Sequence, residues 1–272
     1  MNTTRPAQDW TQLYLATLQN LRSTWPHSWP GLPVVLEACM HRLWSGYALK
    51  VASAADQLLQ AAQAMARHME DLAQQTDDEP TYHNRLHTAD ALTAVCLLMQ
   101  ALQDKGHVLC DEWIAAVLLA VTSHDVLHPG GANGFLQEFE QRSALEMRHV
   151  SRHLNLDPLW LDRVTEMILR TDPSLVTGNH DKVKGLAFEM NLDWACVLIN
   201  EADILASATA QHGNELGHAL AAEWAVKKHP LSRVVGTAQG RLQFLAMLHF
   251  STPASAAFQM QAHVAAQIAS LT

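Results

Sequence analysis

"AADQLLQAAQAMARHME", residues 54–70, decides the class of fold. Its apolar residues Leu58, Leu59, Ala62, Met65, Ala66 and Met69 recur at intervals of three and four, the stripe of a helix with one face turned to a core. The same periodicity runs from 34 to 74, with an interruption near Ser45-Gly46. Alanine, leucine, glutamine and methionine dominate the rest of the chain, and period-two runs of Val, Ile and Thr are hard to find. The expectation is an all-α, compact multi-helix bundle. Further helices are predicted over 84–104, 112–124, 143–155, 158–170, 190–207, 214–228, 236–250 and 254–270. The breaks between them fall at Asp78-Glu79-Pro80, His128-Pro129-Gly130-Gly131, Thr171-Asp172-Pro173 and His229-Pro230. Residues 1–33, a short amphipathic segment followed by Pro26, Pro30 and Pro33, either wrap on the surface or support contacts between copies, so a homodimer is a possible partner state.

With 272 residues, 49% of them hydrophobic and 17% charged, the chain has enough apolar material for a sizeable core and too little charge for a mostly disordered protein. No linker or internal repeat divides it, which favours one domain over 1–272. A formal net charge of −9 with few lysines argues against a nucleic-acid partner, because phosphate contacts need clustered Lys and Arg. The opening MNTTRPAQDW has no basic start followed by an apolar run. Residues 242–272 lack Asp, Glu, Lys and Arg, yet polar residues and proline interrupt them too often for a membrane span. A soluble, cytoplasmic protein without membrane contact is expected. Cys39, Cys96, Cys110 and Cys196 are scattered without a C-x-x-C pair, as core thiols rather than a zinc knuckle or redox pair.

Chemistry concentrates in the histidines. In "YHNRLH", residues 82–87, His83 and His87 are four apart and share a helix face, as do His124 with His128 and His149 with His153. In "SHDVLHPGGANGF", residues 123–135, His124 and Asp125 adjoin at a point where Pro129 and the glycines must end a helix. An imidazole beside a carboxylate offers N and O donors to one cation, and the second carboxylate oxygen can reach another. Asp203 interrupts the apolar run "LINEADILASA", where an unpaired carboxylate would cost several kcal/mol and therefore wants a cation or donors. His87, His124, Asp125 and Asp203 form the candidate ligand set. His83, one turn before a ligand, suits a proton donor just outside it; the plainer reading is a fifth ligand or a core histidine. Glu146, three residues before His149 on the segment "SALEMRHVSRHL", either faces solvent or orients water or an imidazole at the metals.

"YHNRLHTAD" followed by "HDVLHPGGANGFL" resembles the paired-histidine and His-Asp motifs of the class I cyclic nucleotide phosphodiesterases. The resemblance continues through "SALEMRH" at 143–149, "ILRTD" at 168–172, "NEADILASA" at 200–208 and, more faintly, "GRLQFL" at 240–245. It implies a catalytic core over 80–272, with 1–79 as an N-terminal helical subdomain of the same fold and a dinuclear metal site in a central pocket. His87, His124, Asp125 and Asp203 would hold Zn²⁺, with Asp125 bridging to Mg²⁺ or Mn²⁺. Glu146, His149 and Thr171 would lie around the second metal's waters. His83 matches the general acid and His128 the imidazole that supports the site. The implied activity is hydrolysis of cyclic AMP, cyclic GMP or a related phosphodiester. Two cations neutralise the phosphate and lower the pKa of the attacking water toward about 7, while an imidazole protonates the leaving alkoxide.

The base-reading end departs from the family. With Phe244 as the stacking phenylalanine, Arg241 stands where a glutamine is usual; in the other register Gln239 is the glutamine and Leu242 replaces the ring. Ala206 replaces an asparagine and Leu127 an aspartate. A guanidinium suits phosphate or carboxylate better than a purine edge. Three explanations stay open: a substrate with an extra anionic group, loose base selectivity, or an Arg241 that pairs with a surface carboxylate. Two other functions also stay open, a two-metal phosphohydrolase for another phosphodiester or phosphorylated nucleotide, and a metal-bound sensor without turnover.

Overall fold

The computed structural model describes residues 8–44, 53–76 and 79–272. Among the described residues the helical spacing of Ala, Leu and Met produces fourteen helices and no strand. They are α1 (Trp10–Thr24), α2 (Leu32–Leu43), α3 (Ala54–Gln75), α4 (Arg85–Asp104), α5 (Asp111–Ser123), α6 (Glu138–Ser151) and α7 (Pro158–Leu169). The second half continues with α8 (Val176–Val183), α9 (Leu192–Ala208), α10 (Gly213–Val226), α11 (Ser232–Val235), α12 (Ala238–Met247), α13 (Pro253–Ala257) and α14 (Met260–Leu271). The all-α class read from the sequence is the observed one.

Three helices are apolar nearly all round and have to lie at the centre. Sixteen of the twenty residues of α4 are buried, ten of thirteen in α5 and thirteen of seventeen in α9. Around α4 pack α1, α2, α5, α9 and α13, and around α5 pack α3, α7 and α9. Polar groups on these central helices stand out for that reason: His87, Asp90, Asn200 and Glu201 are all buried where neighbours are Leu, Val and Ala.

The stripe that decided the class behaves as read. Leu58, Leu59, Ala62, Met65, Ala66 and Met69 are all buried on α3, while Ser53 caps its start by accepting from the Asp56 amide. The interruption placed at Ser45-Gly46, and Asp78 of the predicted break, lie outside the described residues. The N-terminal segment is a fifteen-residue helix capped by Asp9. Its buried face, Trp10, Tyr14 and Leu18, packs inside the chain, with Trp10 and Tyr14 against Phe258, and Arg22 pairs with Asp90 of α4. Its apolar side is therefore spent within the chain.

Other boundaries differ for local reasons. Helix α6 starts at Glu138 rather than 143, because Gln137 in left-handed backbone (φ 60) turns the chain and Gly134 donates to the Glu138 carboxylate. Helix α8 has no apolar stripe strong enough to be read from sequence. The final predicted segment divides, Gln259 (φ 54) separating α13 from α14, while α12 alone fills the 236–250 segment and the short α11 lies ahead of it. No described helix is long and apolar enough to cross a membrane.

Candidate active site

Asn84 sets the start of α4. Its Oδ1 accepts from the amides of Leu86 (3.0 Å) and His87 (3.1 Å), while its Nδ2 donates to the carbonyls of Pro80 and Thr81. This cap fixes the first helical turn and with it the inward aim of His87. Helix α5 ends at Ser123, and the following turn needs left-handed backbone at Leu127 (φ 62) and Gly130 (φ 71). For leucine that conformation costs roughly 1–2 kcal/mol, where glycine pays nothing.

The turn places His124 and Asp125 opposite His87 and Asp203. His87 Nε2 lies 2.9 Å from Asp203 Oδ1 and 3.3 Å from Asp125 Oδ2; His124 Nε2 lies 3.2 Å from Asp125 Oδ2 and 3.4 Å from Asp203 Oδ1. One ligand atom from each of the four falls within 4.8 Å of the others. His124 Nδ1 is 2.8 Å from the Val121 carbonyl, which can only accept, so the proton sits on Nδ1 and the Nε2 lone pair faces the carboxylates. That Nε2 is buried with no hydrogen-bond partner. Lone pairs facing carboxylates repel unless positive charge lies among them. Burial alone would lower the imidazole pKa values, yet Asp125 and Asp203 push His87 up to about 9 and His124 well above its ordinary value. Burial likewise opposes ionisation of the two carboxyls, but the imidazoles hold both well below the usual range. Two N and two O donors converging on a buried centre fit a divalent cation.

Beside this group stands a second one, His83, His128 and Glu223. Glu223, on α10, belongs to no motif and was not read from the sequence, although as the lone charge in the apolar run "ALAAEWAV" it carries the same signal as Asp203. It is buried: Oε2 accepts from the amides of Tyr82 (2.8 Å) and His83 (2.9 Å), and Oε1 lies 2.6 Å from His83 Nδ1. Burial would raise the Glu223 pKa, but the bonds from His83 hold it below the ordinary value. The His128 ring stacks on His83 at 3.8 Å, and burial, with the positive charge of His83, pushes its pKa down to about 4, so it is neutral. The Tyr82 ring packs 4.7 Å from His83 and 4.9 Å from His87. A cleft of about 220 Å³ opens onto Asp125, His83 and His128, walled by Met69, Leu72 and Leu127.

Helix α6 distributes its residues differently from the sequence reading. Glu146 lies 2.7 Å from His68 of α3, and His149 is exposed against Arg152, so neither is among the converging donors. Thr171 is buried and donates to the Ile168 carbonyl. The stripe of α6 that faces the 124–128 turn is Phe139, Glu140, Ser143 and Met147: Phe139 packs on His128, and Ser143 Oγ donates to the Val126 carbonyl. Glu140 is only 8% exposed, and burial raises its pKa, with the charges of Asp172 and Asp125 adding to the rise. Asn133 donates to both Glu140 (2.9 Å) and Asp172 (3.1 Å). Helical spacing from Ser143 could have found Glu140, but the motif drew attention to Glu146.

At the base-reading end, Arg241 is buried and its guanidinium is engaged inside the protein. It donates to the carbonyls of Ser207 and Thr209 (3.0 Å) and to Gln267 Oε1 (2.5 Å), while Gln267 Nε2 donates to the Ala208 carbonyl. These are the orphan carbonyls at the C-terminal end of α9, where a cation also complements the helix dipole. The guanidinium thus meets carbonyls and a side-chain amide, and among the described residues no carboxylate pairs with it. Phe244 lies 5.6 Å from the Arg241 guanidinium and lines a separate cavity with Tyr82, Ser207, Asn214 and Thr237.

Residues 82–156 match the family model described as 3′5′-cyclic nucleotide phosphodiesterase. The match is a likeness to that family over this stretch of the chain. It spans His83, His87, His124, Asp125 and His128, while Asp203 and Glu223 join them from beyond the matched stretch. The phosphodiesterase family is one of metal-dependent hydrolases. No curated protein gives a significant match to the chain.

Proposed function

We propose that the protein hydrolyses a 3′,5′-cyclic nucleotide to the 5′-monophosphate. The observation that carries this reading is the convergence of His87, His124, Asp125 and Asp203 from three central helices, with His83 held next to them by Glu223. The four would hold Zn²⁺, and Asp125, on the open side of the cleft, would also serve Mg²⁺ or Mn²⁺, with Thr171 and Glu140 nearby in place of the Glu146 and His149 that the motif suggested. Bound cations neutralise the phosphate oxygens and lower the pKa of a water. The protein's own part is protonation of the leaving group. Glu223 occupies His83 Nδ1, which leaves Nε2 to give its proton to O3′ as the P–O3′ bond breaks. His128, neutral and stacked on His83, keeps the ring in place. A substrate with an additional anion loses its main argument, since the Arg241 guanidinium is engaged with carbonyls.

The test is turnover of cyclic AMP, cyclic GMP and bis(p-nitrophenyl) phosphate by purified protein whose metals have been quantified. Hydrolysis of a cyclic nucleotide is expected, lost in both His83→Ala and Asp203→Ala, with metal lost in the second alone. Cleavage of the synthetic ester without either nucleotide would refute the proposed substrate.

A further inference from the structure

The cleft that opens onto Asp125, His83 and His128 has two unlike ends. Away from those three residues its walls are apolar: Met69, Leu72 and Ala73 come from α3, and Val126 and Leu127 from the turn that follows α5. The other polar side chains that line it are already engaged. Asn84 caps α4 with both ends of its amide, and the Thr76 hydroxyl donates to the Leu72 carbonyl (3.1 Å). Arg85 donates to both oxygens of Glu79, from Nε at 3.0 Å and Nη2 at 3.2 Å, and to Glu70 of α3. Among the described residues the cleft therefore offers no unpaired cation and no uncommitted amide with which to read a polar edge.

Leu127 is the least expected member of this lining. Its left-handed backbone (φ 62) is unfavourable for leucine, and the residue is 47% exposed, so burial within the chain does not offset the strain. An apolar group laid against it from outside would. A volume of about 220 Å³ exceeds the roughly 150 Å³ of an apolar cavity that takes benzene, which leaves room for a substituted ring. Resting on the proposed hydrolytic centre, we infer a further activity, the hydrolysis of acyclic phosphodiesters whose leaving group is an apolar aryl or alkyl alcohol. That group lies along Met69, Leu72 and Leu127, and it is selected by apolar area alone. Because His83 lines the same cleft, the group lodged there is the one whose oxygen His83 can protonate. Water bonds to phosphorus and the P–O bond to that group breaks. The departing oxygen takes the Nε2 proton of His83, and the proton given up by water restores the imidazole through solvent. The products are a monoester and an alcohol.

Two esters of nearly equal leaving-group acidity test this with metal-loaded enzyme: methyl phenyl phosphate and methyl 4-butylphenyl phosphate. The wild type should cleave both and favour the butylphenyl ester by about tenfold or more in kcat/KM, mainly through KM, because the added carbons leave water for the cleft. Leu127→Asn suits the left-handed backbone and should lose most of that preference, with KM for the butylphenyl ester raised about tenfold and KM for the phenyl ester changed less. Ala73→Trp, which fills the cleft, should lose the preference as well, with a melting temperature close to that of the wild type. Equal kcat/KM for the two esters in the wild type, or a preference that both variants keep, would overturn the proposal. Cyclic AMP and cyclic GMP assayed in parallel separate it from the cyclic nucleotide reading. Cleavage of the aryl esters with neither nucleotide turned over upholds this activity and rejects that reading. Nucleotide turnover without aryl-ester cleavage rejects this activity alone, and no turnover of any of the four rejects both.

Discussion

His83 is defined by what touches it rather than by its own position. Glu223 accepts from its backbone amide and holds Nδ1, so the ring cannot turn without losing its contact with a carboxylate that the backbone anchors. Glu223→Gln keeps the shape and removes the charge. We expect kcat to fall by about tenfold to a hundredfold with KM and bound metal little changed, read from steady-state kinetics and metal analysis. Leu127 offers a separate test on stability. Asparagine tolerates its left-handed backbone (φ 62) better, so Leu127→Asn should stabilise by roughly 0.5–1 kcal/mol in chemical denaturation. The convergence of His87, His124, Asp125 and Asp203 was legible in sequence because their motifs are local and because Asp203 sits in an apolar run that cannot bury a bare charge. Glu223 and Arg241 were not: the first is separated from His83 by more than a hundred residues, and backbone carbonyls, the acceptors of the second, leave no mark on composition.

At the scale of elements, α9 carries Asp203 and ends in a cap built by α12 and α14. Gly213 completes this cap by leaving room: a Cβ there would overlap the Arg241 guanidinium. Arg241→Ala leaves buried carbonyls without donors and should cost about 1–3 kcal/mol, or roughly 2–4 °C of melting temperature for each kcal/mol. Gly213→Ala should destabilise too, and the double variant should lose less than the sum, since both changes break one contact. The seam between α8 and the 249–251 segment makes a different prediction. Burial, then the neighbouring charge of His249, pushes His180 down to about 4, against the opposing charge of Asp181, while its Nδ1 pairs with Ser251 Oγ at 2.7 Å. An unfolded histidine takes up its proton near 6.5, so on acidification the unfolded chain is protonated first. This contribution to stability is complete above about pH 6.5 and is lost as pH falls through about 4. Melting temperatures from pH 7 to 4.5 should fall more steeply in the wild type than in His180→Gln. Neither seam was readable beforehand, because a helix as short as α8 shows too little periodicity, whereas α3, α4, α5 and α9 announced themselves by length and apolar stripe.

Across the whole molecule, the proposed metal ligands come from the start of α4, the end of α5 and the middle of α9, the three helices that carry the core. A cation held there would tie the core together. Stripping metal with a chelator should lower the temperature of a single melting transition, and restoring Zn²⁺ at a hundred times its Kd should return about 2.7 kcal/mol of stability, read by calorimetry. The proposed hydrolytic residues and the cavity beside Phe244 are also divided along the chain. All four ligands, His83 and His128 lie between residues 83 and 203, whereas the cavity, apart from Tyr82, is assembled from 207 to 244. Tyr82 crosses that division from one side and Glu223 from the other, reaching from the cavity's own helix to the proposed proton donor. The consequence is evolutionary: mutations in the latter stretch can reshape the cavity while the proposed reaction survives, provided that this one carboxylate is inherited unchanged.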